Sequence, residues 1–263
     1  MTATVTSADG TPIAFETYGS GAPVLLVGGA VNDRTTVAAL AGVLADAGFT
    51  AIAFDRRGRG DSGDAPLYAV EREIDDLAAL IETVGGAAAI FGHSSGAILS
   101  LEAAARGLPI GRVSVYEPPF IVGEDRPRPG DDLVDRISAR LAEDDRDGAV
   151  ELFLVEGTGT PAEIVERMKA APVWGWFVGL AHTLPYDLTI CGRGNHLPVD
   201  RLAAITVPVL SLSGGASDEW MKAGAKAVAD AVAHGRHEEI AGQDHGVLNA
   251  PETLRDVLTG FLR

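Results

Sequence analysis

The chain has 263 residues, 46% of them hydrophobic, with 21 basic against 37 acidic side chains and a formal net charge of −16. That length fits one large domain, or a core with a modest insertion, and the apolar content argues against global disorder. So acidic a surface repels phosphate backbones and anionic membranes, which argues against nucleic acid as a partner and against polyanionic substrates.

A lone cysteine, Cys191, cannot make an internal disulfide and has no base beside it in "LTICGRG". It reads as a buried structural thiol, and nothing points to an oxidising compartment. No signal peptide shows in "MTATVTSADG", and no apolar run reaches the length of a membrane span. The expected location is the cytoplasm. The excess of arginine over lysine, with abundant Ala and Gly, suggests a GC-rich bacterial source.

In chain order, "ATVTSADGTPIAFETYG" alternates and turns at Asp9-Gly10, which predicts a hairpin. "PVLLVGGA" is apolar on both faces, as a buried parallel strand requires. Helix and strand then alternate: "TTVAALAGVLADAG", "FTAIAFD", "YAVEREIDDLAALIETVGG", "AAAIFG", "SGAILSLEAAARG" and "GRVSVYEP". Such alternation predicts an α/β fold, a parallel sheet with helices on both faces. From 120 to 198 the pattern changes to helical stretches, "GDDLVDRISARLAED", "GAVELFLVEG", "PAEIVERMKAA" and "VWGWFVGLAHTLPYDL". Alternation resumes with "VPVLSLSG", "EWMKAGAKAVADAVAHG", "RHEEIAG" and "APETLRDVLTGFLR". Residues 120–198 are therefore a helical cap inserted into a core made of 1–119 and 199–263.

One strand runs into its helix through Gly92-His93-Ser94-Ser95-Gly96. This is G-x-S-x-G at a strand-to-helix turn, where a strained central residue projects from the carboxyl edge of the sheet. Gly92 and Gly96 lie two before and two after Ser94 and let strand and helix pass closely, so Ser94 is the candidate nucleophile. Ser95 opens the helix, where its backbone N–H can face a developing oxyanion. His93 is adjacent, but neighbours at a sharp turn point apart, so it reads as a packed histidine. Of the six histidines, His182 and His196 fall in the insertion, and His234 and His237 bracket a surface turn without an acidic or cysteine cluster for a metal. His245, in "AGQDHGVLNAPE" after the last strand, lies in a loop that an open parallel sheet gathers at the same edge as Ser94, and is the candidate base.

The elbow "GHSSG", the late "GQDHGVL", the opening "PVLLVGGA" and the loop "DRRGRGDSG" resemble the α/β-hydrolase superfamily, in particular its small bacterial members with a helical cap. The resemblance covers essentially the whole chain and is weakest over the cap. It implies an eight-stranded, mostly parallel sheet and a Ser–acid–His triad, with Ser94 and His245 in those roles. Where the family usually has His-Gly before the oxyanion loop, this chain has Gly28-Gly29, so the oxyanion N–H falls to Ala30, paired with Ser95. The triad acid has two candidates. After the seventh strand the family's G-x-x-D slot holds Ser217, with Asp218 one residue late. After the sixth strand Glu117 is braced by Pro118 and Pro119, as a carboxylate that orients an imidazole should be, and is preferred.

In the cap, Trp176 and Phe177 are the candidates to roof a pocket over Ser94. "DRRGRGDSG" lacks the Lys-Ser/Thr ending of a phosphate-binding P-loop and reads as a structured loop beside the site. The resulting expectation is a serine hydrolase of uncharged carboxylic esters or lactones, using no cofactor and no metal. A serine at the elbow argues against epoxide hydrolysis and dehalogenation, for which the superfamily normally uses Asp. Two alternatives stand beside it: a cofactor-free perhydrolase or haloperoxidase on the same triad, and a member that binds a small molecule without turnover.

Overall fold

The computed structural model describes residues 1–124 and 126–263. The chain opens with a hairpin, β1 (Ala3–Thr6) and β2 (Pro12–Gly19), whose turn uses Gly10 at φ +89°. There follow β3 (Ala22–Val27), α1 (Arg34–Asp46), β4 (Phe49–Phe54), α2 (Val70–Thr83), β5 (Ala88–His93), α3 (Ser95–Ala105) and β6 (Ile110–Tyr116). The insertion then supplies α4 (Leu133–Ala142), α5 (Arg146–Leu152), α6 (Ala162–Lys169), α7 (Val173–Leu180) and α8 (Leu184–Cys191). A single turn, α9 (Val199–Leu202), returns the chain to β7 (Val209–Gly214), α10 (Glu219–Ala231), β8 (Gly235–Ile240) and α11 (Arg255–Leu262).

The eight strands form one sheet in the order β1-β2-β4-β3-β5-β6-β7-β8. The pairings β1/β2 and β2/β4 are antiparallel, and all the others are parallel. This is the eight-stranded, mostly parallel sheet that the sequence resemblance implies. Central strands are apolar on both faces because both are covered: Val24 to Val27 are fully buried. One face packs α2, α3 and α10 through Leu77, Leu80, Ile98, Leu101 and Val228. The other packs α1 and α11 through Val37, Leu40, Leu44 and Leu258. Parallel strands β3, β5, β6, β7 and β8 all end at the same edge, which therefore collects the loops after them.

Between β6 and β7 every described regular element is helical, and these helices bury a cluster around Leu133, Ile137, Val150, Phe153, Trp174 and Leu184, which Val31 from the loop after β3 joins. Three helices depart from the pattern in the sequence. The stretch 173–188 is two helices, α7 and α8, separated by a 3-10 turn at Ala181–Thr183. Pro185 has no N–H to give to the carbonyl four residues back, so a new helix starts there. After α5 the chain widens into a π-helical turn at Phe153–Thr158. The last helix begins as a 3-10 turn at Pro251–Leu254. No helix of the described residues is long and apolar enough to cross a membrane.

Helix α3 lies hard against the end of β3. A Cβ on Gly96 would stand 2.4 Å from the Val27 carbonyl oxygen, whereas one on Gly42, in α1, would meet nothing within 4 Å. Urea denaturation should therefore separate the two substitutions. Gly42→Ala should gain about 0.5–1 kcal/mol, the helix-propensity difference. Gly96→Ala should lose about 1–3 kcal/mol from the forced shift of backbone.

Candidate active site

Ser94 joins β5 to α3 with φ +56° and ψ −125°, a conformation non-glycine residues rarely adopt. Close packing enforces it: a Cβ on Gly92 would meet the Gly96 carbonyl at 2.4 Å and Ser100 Oγ at 2.5 Å. The Ser94 N–H donates to the Tyr116 carbonyl (2.9 Å), which locks the turn onto the end of β6. The Ser94 hydroxyl makes no capping bond to its own helix. Helical bonding resumes at the Ala97 N–H, which donates to the Ser94 carbonyl (2.9 Å). The Ser95 N–H at the start of α3 is thus one of the donors a helix N-terminus leaves without an intrahelical partner.

Glu117 follows β6 directly. The register His93↔Tyr116 puts Ser94 and Glu117 side by side, each one residue past its strand. Glu117 is fully buried with φ +46°, and both its oxygens are engaged: Oε2 accepts from His245 Nδ1 (2.7 Å) and Oε1 from the Gly214 N–H (2.7 Å). Burial alone would raise its pKa. The His245 N–H, the nearby Ser217 hydroxyl and the Gly214 N–H outweigh burial and hold the carboxyl below the usual carboxylate range. With Nδ1–H committed to Glu117, His245 has Nε2 left as the basic nitrogen. Both Ser94 and His245 line the same cavity.

Asp218 is exposed at the N-cap position of α10 and has no bond to His245. Of the two acids the sequence left open, Glu117 is the one beside the imidazole.

Two residues that the sequence reading gave no role hold the His245 loop. His93 is buried, and its Nε2–H donates to the His245 carbonyl (2.9 Å). The Tyr116 hydroxyl donates to the adjacent Asp244 carbonyl (2.8 Å). Burial and the neighbouring His245 push the His93 pKa down from 6.5 to about 3, so its ring is neutral. The packed histidine expected from the turn is thus also a clamp on the loop that carries His245.

Gly29 faces Ser94: a Cβ there would lie 2.8 Å from the serine Cβ. Next to it, Ala30 lines both cavities that border Ser94. The carbonyls of Gly28 and Gly29 accept from buried guanidinium groups, Arg56 Nη1 (3.2 Å) and Arg59 Nη1 (3.1 Å). Arg56 also grips Glu73 with two bonds of 2.7 Å, and Asp187 of α8 takes one bond of 2.8 Å from each arginine. The Ser95 hydroxyl donates to the same Asp187 (2.7 Å). Burial would raise the Asp187 carboxyl, but Arg59 and Arg56 hold it below its ordinary range. "DRRGRGDSG" does border the site, but its arginines lie inside the protein. The sequence shows three arginines; it cannot show partners as far away as Asp187.

The larger cavity has a volume of about 360 Å³ and, among the described residues, no Asp, Glu, Lys or Arg in its lining; Val31, Phe153, Leu154, Phe177 and Leu248 are its apolar walls. A smaller one of about 80 Å³ also borders Ser94, walled by Pro119, Leu188, Cys191 and Trp220. Phe177 thus lines the larger cavity. Trp176 does not line it: its indole N–H donates to the Val31 carbonyl (2.8 Å) and the residue is 42% exposed. Helix α7 presents one aromatic to the cavity and turns the other outward, because residues adjacent in a helix point about 100° apart. Cys191 is buried, and burial pushes its thiol up to about 12, away from thiolate chemistry. Among the described residues no group of three His, Cys, Asp or Glu side chains could hold a metal ion.

The sheet order, the left-handed serine after β5 and the His–Glu pair at the carboxyl edge together define an α/β-hydrolase architecture. The sequence model of the alpha/beta hydrolase family matches residues 24–257, and the chain belongs to that family. Among solved structures it is similar to an alpha/beta hydrolase from Sphaerobacter thermophilus, with 50% identity, 99% of this chain and 100% of that one covered, and a TM-score of 0.94. It is also similar to a thermophilic esterase from Thermogutta terrifontis, at 25% identity, 100% and 98% coverage and TM-score 0.75. A bromoperoxidase from Bacillus anthracis, at 21% identity, 100% and 99% coverage and TM-score 0.76, shares the fold. Among curated proteins none matches the sequence.

His93 gives the stability a pH signature. Its folded pKa lies below its ordinary value, so between pH 6.5 and about 3 the unfolded chain binds a proton that the folded chain does not. Stability must then fall with falling pH across that window, by up to about 1.4 kcal/mol per pH unit from this one group. Urea titrations at several pH values should show that slope reduced by about this amount in His93→Asn relative to the unmodified protein.

Proposed function

We propose that this protein is a serine hydrolase that cleaves uncharged carboxylic esters or lactones through an acyl-enzyme on Ser94. His245 Nε2 takes the Ser94 proton as the hydroxyl attacks the carbonyl carbon. Glu117 holds the imidazole in the required tautomer and stabilises the cation that forms. The backbone N–H groups of Ala30 and Ser95 receive the oxyanion of the tetrahedral intermediate. The imidazolium then protonates the departing alcohol oxygen. Water, deprotonated by His245, attacks the acyl carbon and restores Ser94. For a lactone the alcohol stays tethered to the acyl group and leaves with it at the second step.

The observation that carries this reading is the 2.7 Å bond from His245 Nδ1 to a buried carboxylate whose second oxygen is also occupied, in a cavity that His245 shares with Ser94. A histidine fixed in that way is suited to proton transfer, which favours turnover over binding alone. The uncharged, largely apolar lining favours neutral substrates with an apolar part. Residues 120–198 act in this reading as a cap, with Phe177 in the roof; substrates are small molecules, and neither nucleic acid nor a membrane is a partner.

Steady-state hydrolysis of short p-nitrophenyl esters and simple lactones tests the assignment. Ser94→Ala and His245→Ala should each abolish turnover above background. Glu117→Gln, which removes the charge but keeps the shape, should lower kcat by about 10²–10⁴, while Asp218→Asn stays within about twofold of the unmodified protein. Equal losses from the two acid variants, or turnover that survives Ser94→Ala, would contradict it.

A further inference from the structure

We propose that Asp187, on helix α8 of the insertion, is a positioning residue that orients both oxyanion donors at once, through Arg59 and through the Ser95 hydroxyl. The inference rests on the reading of Ser94 as nucleophile and assigns the insertion a part in the chemistry beyond roofing the cavity.

The geometry runs from the peptide outward. In a trans peptide the C=O and the N–H point in opposite directions. The Gly29 carbonyl and the Ala30 N–H belong to one such unit. Arg59 Nη1 holds the Gly29 oxygen at 3.1 Å from inside the protein, so the Ala30 N–H faces the other way, toward the cavity that Ala30 lines with Ser94. Arg59 is fully buried, and its one carboxylate partner among the described residues is Asp187 Oδ2 at 2.8 Å. The other oxygen of Asp187 accepts from the Ser95 hydroxyl (2.7 Å) and from Arg56 Nη1 (2.8 Å), which itself holds the Gly28 carbonyl. One carboxylate thus fixes the peptide before Ala30 and the residue that supplies the second N–H.

Charge makes the arrangement all-or-none. Arg56 and Arg59 are balanced by Glu73 and Asp187, all four at most 2% exposed. Without Asp187 the cluster carries a net positive charge that burial penalises, and Arg59 gains by leaving the Gly29 carbonyl for water. The histidine usual before the oxyanion loop in the resembling hydrolases is absent here, and two arginines grip that loop instead.

Two variants test the proposal with a p-nitrophenyl ester whose hydrolysis depends on Ser94. Asp187→Asn keeps the side-chain shape but unbalances the cluster. The double variant Arg59→Met with Asp187→Asn removes one charge of each sign, so it keeps the fold if the single variant loses stability. Both should lower kcat by about 10–100-fold, short of the full loss of one donor, with KM within about threefold. Their Ki for a trifluoromethyl ketone, whose hemiketal oxygen occupies the oxyanion position, should rise by the same factor. A folded double variant with unchanged kcat would overturn the proposal. So would a fall in kcat without a matching rise in Ki, because that pattern reports a merely structural role. Absence of Ser94-dependent turnover in the unmodified protein would overturn the hydrolase reading, and this inference with it.

Discussion

The left-handed turn at Ser94 is the constraint on which the rest of the site depends. Holding a serine at φ +56° costs on the order of 1–3 kcal/mol, and it persists only where the surroundings leave no alternative. Here they do not. Gly92 and Gly96 let α3 press against β3 and β5, Gly29 clears the space in front of the serine, and the Tyr116 carbonyl takes the Ser94 N–H. The neighbouring strand ends in the same way, with Glu117 at φ +46° and its N–H on the Leu212 carbonyl (2.9 Å). Two adjacent parallel strands therefore stop in step and present a hydroxyl and a carboxylate side by side. β8, two strands further along the sheet, delivers His245 from its own loop.

Charge inside the protein is arranged to cancel. The chain is acidic overall, yet the groups beneath the Gly28-Gly29-Ala30 loop form a closed set of two arginines and two carboxylates. Removing one partner of a buried pair costs about 3–5 kcal/mol, so the set holds its members in register. It also leaves the cavity without a net local charge from these groups, in keeping with a lining that, among the described residues, has no Asp, Glu, Lys or Arg. His93 and Tyr116 do for the His245 loop what the arginines do for the Gly28-Gly29-Ala30 loop: each holds a carbonyl and thereby fixes a peptide plane.

Local patterns in the sequence carried the sheet and the turn. Continuous apolar runs predict the central strands, and glycines at fixed offsets single out Ser94 from Ser95. His245 followed from its place after the last strand. Less was legible where distant residues decide. Glu117 and Asp218 each had a local case, and only the packing of β6 against β7 puts Glu117 against the imidazole while α10 leaves Asp218 in solvent. The facing of Trp176 depended on the rotation of α7 about its axis, which tertiary packing sets and sequence spacing leaves open. The segment "DRRGRGDSG" reads as a structured loop beside the site, but the burial of its arginines is not legible there, because their neutralising partners lie at Glu73 and Asp187 and sequence distance hides a charge balance made by folding.

The most direct test of the central claim, an activated serine at position 94, is intact-mass spectrometry after exposure to a fluorophosphonate probe, followed by peptide mapping. The account predicts a single adduct on the peptide carrying Ser94, lost in Ser94→Ala and slowed in Glu117→Gln. Folded protein that stays unlabelled by probes small enough to enter the 360 Å³ cavity, or that is labelled on another residue, would contradict it.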